Sequence, residues 1–248
     1  MQPGDIAAAR NLIATMRFSE VLEPVALDIP VNKRILVIAP HPDDELLGAG
    51  GLIILAEKNQ CDIKVVFLTN AGKPQNRIDA ERILPKLGVT GLFLEHPVRE
   101  IDPQSAGRQI AAELGSWTPD IVCLPFILDD HPDHRTTSAV LRELCEIAVD
   151  VPTRAMVLAY QVYSTLIPNV VLDISDVIDK KISLLSEYET QSSGRDWGHY
   201  CRGMNAFNSR FLYARRRSGF AELFFMLPCH EYLKLCLAYG EPRDLVAR

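Results

Sequence analysis

From Arg34 onward the chain alternates short, almost wholly apolar runs with longer segments of helical spacing. The runs at 34–40 (RILVIAP), 63–69 (IKVVFLT), 89–95 (VTGLFLE), 121–126 (IVCLPF), 154–162 and 169–174 lack the every-other-residue polarity of a half-exposed strand. They predict strands buried on both faces. Between them the spacing predicts helices near 48–58, 76–87, 103–116 and 135–149, with a further helix near 176–190. Successive βα units make this an α/β fold, a Rossmann-like, mostly parallel sheet flanked by helices in a single domain. No repeat, low-complexity tract or long Gly/Ser linker divides it. Residues 1–33 read as an N-terminal arm, in which 5–16 (DIAAARNLIATM) has the spacing of a short amphipathic helix. Residues 34–191 read as the core, and 192–248 as a C-terminal extension packing on it. The extension is rich in aromatic and basic residues, among them Arg195, His199, Arg202, Arg210, Arg215, Arg216 and Arg217.

Composition narrows the partners. The 248 residues are 48% hydrophobic and 23% charged, with 26 basic against 32 acidic side chains and a formal charge of −6. A chain of this size builds a core without disulfides. The acidic balance argues against a nucleic-acid partner, because non-specific affinity for a polyanion comes from Lys and Arg. Six cysteines without a C-x-x-C pair read as reduced, buried thiols. No stretch approaches the roughly 20 apolar residues of a membrane span, and no basic segment leads into an apolar one at the N-terminus. The expectation is a cytoplasmic protein with no membrane span. Composition carries no signal for the oligomeric state.

Ligands in open α/β sheets bind beyond the carboxyl ends of the strands, and two of those loops are dense in chemistry. Pro40-His41-Pro42-Asp43-Asp44-Glu45 follows the first predicted strand, and Asp129-Asp130-His131-Pro132-Asp133-His134 follows the fourth. His and Asp suit a borderline divalent ion such as zinc or iron(II), and three protein ligands would leave a coordination position for water. Water on such an ion has its pKa lowered towards about 7, and a carboxylate that does not ligate can take its proton. The rival reading of each motif is a helix start, with Pro in the first turn and carboxylates at the positive end of the dipole. Gly48-Ala49-Gly50-Gly51 also raises a nucleotide-binding module, but the pattern is not G-x-G-x-x-G and follows acidic residues that would repel a pyrophosphate.

The paired motifs resemble the PIG-L/LmbE-like zinc-dependent N-deacetylases. The resemblance runs from about Arg34 through Gln191. It takes in Ile35-Leu36-Val37-Ile38-Ala39 leading into PHPDDE, then GAGG, DDHPDH, Tyr160-Gln161-Val162-Tyr163-Ser164, Leu172-Asp173-Ile174-Ser175 and KISLLSEYETQ. It implies zinc ligands His41, Asp44 and His134, with iron(II) as the other candidate ion. It makes Asp43 the general base, His131 the electrophilic imidazole and Asp133 a residue that orients or charges His131. Glu45 either supports the first loop or is only a helix-start carboxylate. Arg77 is a candidate substrate contact. The implied reaction is removal of the acetyl group from an N-acetyl amino sugar, of the N-acetylglucosamine type, in a small glycoside, glycolipid or metabolite precursor, by attack of zinc-bound water. A non-catalytic carbohydrate-binding protein on the same fold, or a metallohydrolase cleaving another bond, are the alternatives. Where some members carry a Tyr two residues before the first His of HPDH, this chain has Asp129.

Overall fold

A computed structural model describes residues 23–164, 166–188, 194–213 and 218–239. The amphipathic segment at 5–16 and Arg215, Arg216 and Arg217 lie outside the described residues. In chain order the elements are β1 (Val25–Ala26), β2 (Arg34–Ala39), α1 (Asp44–Lys58), β3 (Asp62–Thr69), α2 (Pro74–Leu87), β4 (Thr90–His96), α3 (Pro103–Leu114) and β5 (Ile121–Pro125). They continue with α4 (Pro132–Ile147), α5 (Asp150–Arg154), β6 (Met156–Tyr160), β7 (Val170–Asp173), α6 (Ile178–Leu185), α7 (Trp197–Asn208), β8 (Ala221–Pro228) and α8 (Cys229–Tyr239). The strands form one sheet in the order β1-β7-β8-β6-β5-β2-β3-β4. Every pairing is parallel except those of β8, which runs antiparallel to β6 and β7.

The α/β architecture is the predicted one, and the reason the strands show no alternation is visible in β2. Ile35, Val37 and Ala39 enter one core layer, with residues of α1, α2 and α6, while Leu36 and Ile38 enter the other, with residues of α3, α4 and α8. Both faces are apolar because both are covered. Truncating Leu36 to Ala would cost about 2–5 kcal/mol, the usual range for a fully buried leucine. Two strands were missed in sequence: the two-residue β1 in the segment read as an arm, and β8 (AELFFMLP), which the extension inserts into the sheet interior.

Two features of α1 fix where its N-terminus lies. A Cβ at Gly48 would stand 2.0 Å from the Tyr160 ring, and one at Gly51 would stand 2.4 Å from Ile174 Cγ2. The glycines therefore let the helix lie against the sheet, and GAGG is a packing element rather than a phosphate loop. Beneath it Lys181 is fully buried and donates to the Leu47 carbonyl (3.0 Å), Asn205 Oδ1 (3.0 Å) and Glu222 Oε1 (2.8 Å). Glu222, on β8, in turn accepts from the Gly51 and Leu52 N–H groups at 2.6 and 2.9 Å.

The topology also creates a switch point. The chain proceeds from β2 outward to β3 and β4, then returns to place β5 on the other flank of β2. Loops leaving β2 and β5 thus emerge side by side, where doubly wound sheets open a crevice. No helix among the described residues is long and apolar enough to cross a membrane. All six cysteines are free thiols, five of them buried.

Candidate metal centre

Both motif loops are also helix starts. His131 caps α4, its Nδ1 accepting the Asp133 N–H at 3.2 Å, with Pro132 in the first turn. Asp43 precedes α1 with φ at +114°, a conformation that costs a non-glycine residue about 1–3 kcal/mol and persists only where surrounding bonds impose it. Those bonds are present. Its N–H donates to Glu45 Oε2 at 3.0 Å, and its carbonyl accepts from Leu46 and Leu47 at 3.0 and 2.8 Å. The Tyr188 hydroxyl holds the other Glu45 oxygen at 2.6 Å, so Glu45 supports the first loop as well as opening the helix.

The loops meet around Asp44. Its Oδ2 lies 3.0 Å from His41 Nδ1 and 3.3 Å from His134 Nε2. The far nitrogen of each ring faces a carboxylate of its own: His41 Nε2 is 2.9 Å from Asp133 Oδ2, and His134 Nδ1 is 2.9 Å from Asp129 Oδ1. Asp44 and His134 are completely buried, and Asp44 Oδ1 and both His134 nitrogens lack an aligned hydrogen-bond partner. His131 stands beside them, its ring centroid 4.9 Å from those of His41 and of His134. One ring nitrogen from each of the three imidazoles lies within 4.8 Å of the other two.

This donor set fits a divalent cation. Two ligand atoms on a tetrahedral zinc stand about 3.4 Å apart for bonds of about 2.1 Å, close to the observed spacings around Asp44 Oδ2. The carboxylates behind His41 and His134 are the partners that orient imidazole ligands. Asp43, Asp44, Glu45, Asp129 and Asp133 are all buried here, and a cation offsets that accumulation of negative charge.

Residues 36–145 match the PIG-L family, described as GlcNAc-PI de-N-acetylase. The diacetylchitobiose deacetylase of Thermococcus kodakarensis is 25% identical over 213 residues, covering 73% of this chain and 79% of that one. A Bacillus subtilis protein named as a probable N-acetyl-alpha-D-glucosaminyl L-malate deacetylase is 26% identical over 189 residues, 66% of this chain and 86% of its own. The fold is shared with the N,N'-diacetylchitobiose deacetylase of Pyrococcus horikoshii, at a TM-score of 0.67 and 20% identity, over 95% of this chain and 96% of that one.

Within the matched segment the two adjacent aspartates are driven apart electrostatically. Burial opposes ionisation of Asp44, but His134 and His41 overcome it and hold the carboxyl below its usual range. Asp43 is pushed well above that range by burial and by the charges of Asp44 and Glu45. Burial likewise raises Glu45, to about 7. Burial disfavours charge on His41, yet Asp133 and Asp44 raise it to about 9; Asp44 and Asp129 do the same for His134, to about 10. His131 moves the other way, lowered by burial and by His41 and His134. With Nδ1 accepting a backbone N–H, a neutral His131 carries its proton on Nε2.

The placement of Asp133 differs from the role that the resemblance gives it. Its Oδ2 is 2.9 Å from His41 Nε2 but 4.0 Å from His131 Nδ1, and its Oδ1 accepts the Arg99 N–H at 2.9 Å. It sits behind His41. Arg77 is engaged outside the cluster, with Glu81 at 2.8 Å, with Glu95, and over the Phe93 ring. Two residues emerge that the motifs did not single out for a role. Asp129 faces His134 and also accepts the His131, Tyr163 and Ser164 N–H groups at 3.0, 3.0 and 3.3 Å. Tyr163 stacks on His134, centroids 4.9 Å apart. Asp129, the first carboxylate of DDHPDH, was visible in that motif, whereas the place of Tyr163 follows only from the fold.

Proposed function

We propose that this protein is a metal-dependent hydrolase that removes the acetyl group from an N-acetyl amino sugar in a small glycoside, glycolipid or metabolite precursor. The observation that carries the reading is the convergence of Asp44 Oδ2 with one nitrogen each of His41 and His134, both backed by a second carboxylate. His41, Asp44 and His134 hold the ion, zinc or iron(II). His131 is set aside as a ligand because its Nδ1 caps α4, whereas Asp44 has a buried oxygen with no other partner. The ion, when bound, supplies Lewis acidity and acidifies a water in its open position.

The side chains do the rest. Asp43, whose elevated pKa suits a proton acceptor, takes the proton from the attacking water and returns it to the departing amine as the C–N bond breaks. Its neighbour Asp44 is held ionised and committed to ligation. His131 donates Nε2–H to the oxygen of the acetyl carbonyl as negative charge develops there. A neutral imidazole performs this as a hydrogen-bond donor, without the protonated ring that a cationic electrophile requires. Asp133 and Asp129 keep His41 and His134 in place.

Acetate and free-amine release from a panel of N-acetylglucosaminides tests the reading. Release is expected from metal-replete protein, lost on chelation and restored by zinc or iron(II). Metal-replete protein that releases no acetate from any of them refutes the deacetylase assignment, and undiminished release from metal-free protein refutes the metal.

A further inference from the structure

Aromatic rings continue outward from the cluster. Tyr163 lies nearly flat on His134, with 19° between the planes, Trp197 follows at 5.7 Å between centroids, and Tyr200 at 6.0 Å from Trp197. The backbone of Tyr163 is pinned by Asp129, the carboxylate that also faces His134. The first turn of α7 carries Trp197 and Tyr200 and is capped by Asp196, which accepts the His199 N–H at 2.8 Å. Gly198 packs this turn against α6, a Cβ there standing 3.3 Å from Ile182 Cγ2. Core packing alone would bury such rings, yet Tyr163 and Tyr200 are 43% and 55% exposed, with Trp197 half-buried between them. The row is rigidly mounted, faces solvent and begins at the reacting centre.

We propose that Tyr163, Trp197 and Tyr200 form a subsite for a second ring of the substrate, joined to the amino sugar whose acetyl group is at the His41–Asp44–His134 cluster. The ligand chemistry is a flat apolar ring face, supplied either by the C–H face of a pyranose or by an aryl group. The proposal rests on the deacetylase reading and specifies its substrates: they carry a ring beyond the acetamido sugar.

The chain has two tryptophans, Trp117 and Trp197. Trp117 donates to Asp62 at 2.6 Å, away from the cluster, so Trp117→Phe leaves Trp197 as sole reporter. Metal-free Trp117→Phe protein is titrated with N-acetylglucosamine, N,N'-diacetylchitobiose and phenyl N-acetylglucosaminide. A saturable change in Trp197 emission is expected with at least one ring-bearing probe, at concentrations where N-acetylglucosamine gives none. The probe that produces it names the ring. Adding the surface change Tyr200→Ala weakens that response by about three- to tenfold, the worth of one aromatic contact. In turnover, Tyr200→Ala raises KM for the ring-bearing substrate relative to that for N-acetylglucosamine by a similar factor. Trp197 emission indifferent to both ring-bearing probes, or a Tyr200→Ala effect equal on all substrates, overturns the subsite. A saturable response in a protein that releases no acetate overturns the deacetylase reading and keeps the subsite; acetate release with silent Trp197 does the reverse.

Discussion

Helix α1 touches two clusters of buried charge, and they differ in completeness. Halfway along it, Lys181 has three acceptors for its three N–H bonds, and Glu222 is held by Lys181 and two backbone N–H groups. At its N-terminus, Asp44 Oδ1 and both His134 nitrogens are buried without aligned partners, and Asp43 sits at positive φ among neighbouring carboxylates. Buried polar groups are paired in nearly all folded proteins, so a satisfied network reads as architecture and a deficit reads as a place that a ligand completes. Equal burial thus conceals opposite purposes.

The largest expected effect breaks the incomplete cluster. Asp43→Asn, a side chain that tolerates positive φ, should keep metal and lose about 10²- to 10⁴-fold in turnover, the usual contribution of a positioned base. His41→Ala should lose the metal itself. Metal content and turnover measured on both variants check this, and two variants indistinguishable in metal would dissolve the division of labour between Asp43 as base and His41 as ligand. The complete cluster should answer only in stability. Lys181→Met leaves Glu222 buried and uncompensated and should cost about 3–5 kcal/mol by denaturant unfolding, with metal stoichiometry of the folded fraction unchanged. Pairing it with Glu222→Leu should recover most of that loss.

The smallest effect concerns protons. In the metal-free protein His41 and His134 have raised pKa values, to about 9 and 10, and each must be neutral to ligate. Apparent metal affinity should therefore fall as pH drops through that window, by up to about tenfold per unit for each imidazole. The same protonated rings stabilise the metal-free fold. That contribution is full below about 6.5 and fades as pH rises through 9 to 10. Asp129→Asn should weaken metal binding by about 10- to 100-fold and bring the upper step down, because the carboxylate facing His134 is lost. Competition titrations against a chelator read both, and an affinity flat from pH 7 to 10 would contradict the histidine assignment.

Much of this was legible in the chain. Strands buried on both faces give uninterrupted apolar runs, so β2, β3 and β5 stand out, and two His/Asp motifs at their carboxyl ends mark the cluster. Helices α1 and α4 begin at Asp44 and Pro132, several residues before their apolar spacing becomes evident, because the motif residues themselves make the first turns. Strand β8 could not be separated from the basic and aromatic segment around it. Asp133 illustrates a subtler limit: nearness in sequence ties it to His131, but His131 is an extended cap and Asp133 already helical, so its carboxylate reaches His41 instead. The roles of Asp129 and Tyr163 depend on which loop meets which strand end, and no spacing rule encodes that.

Strand β8 has a consequence for the order of assembly. Among the described residues it is the one strand that joins the β1–β7 pair to the other five strands. On the ribosome, β2 through β6 can pair as they emerge, whereas residues 25–26 and 170–173 pair only with each other, and join the rest of the sheet once 221–228 have been translated. Lys181 waits as well, since its counter-ion Glu222 arrives on that same late segment. The nascent molecule must therefore carry a cation without its partner for 41 residues of synthesis, and an unfilled slot beside β6 from Tyr160 until Ala221 arrives.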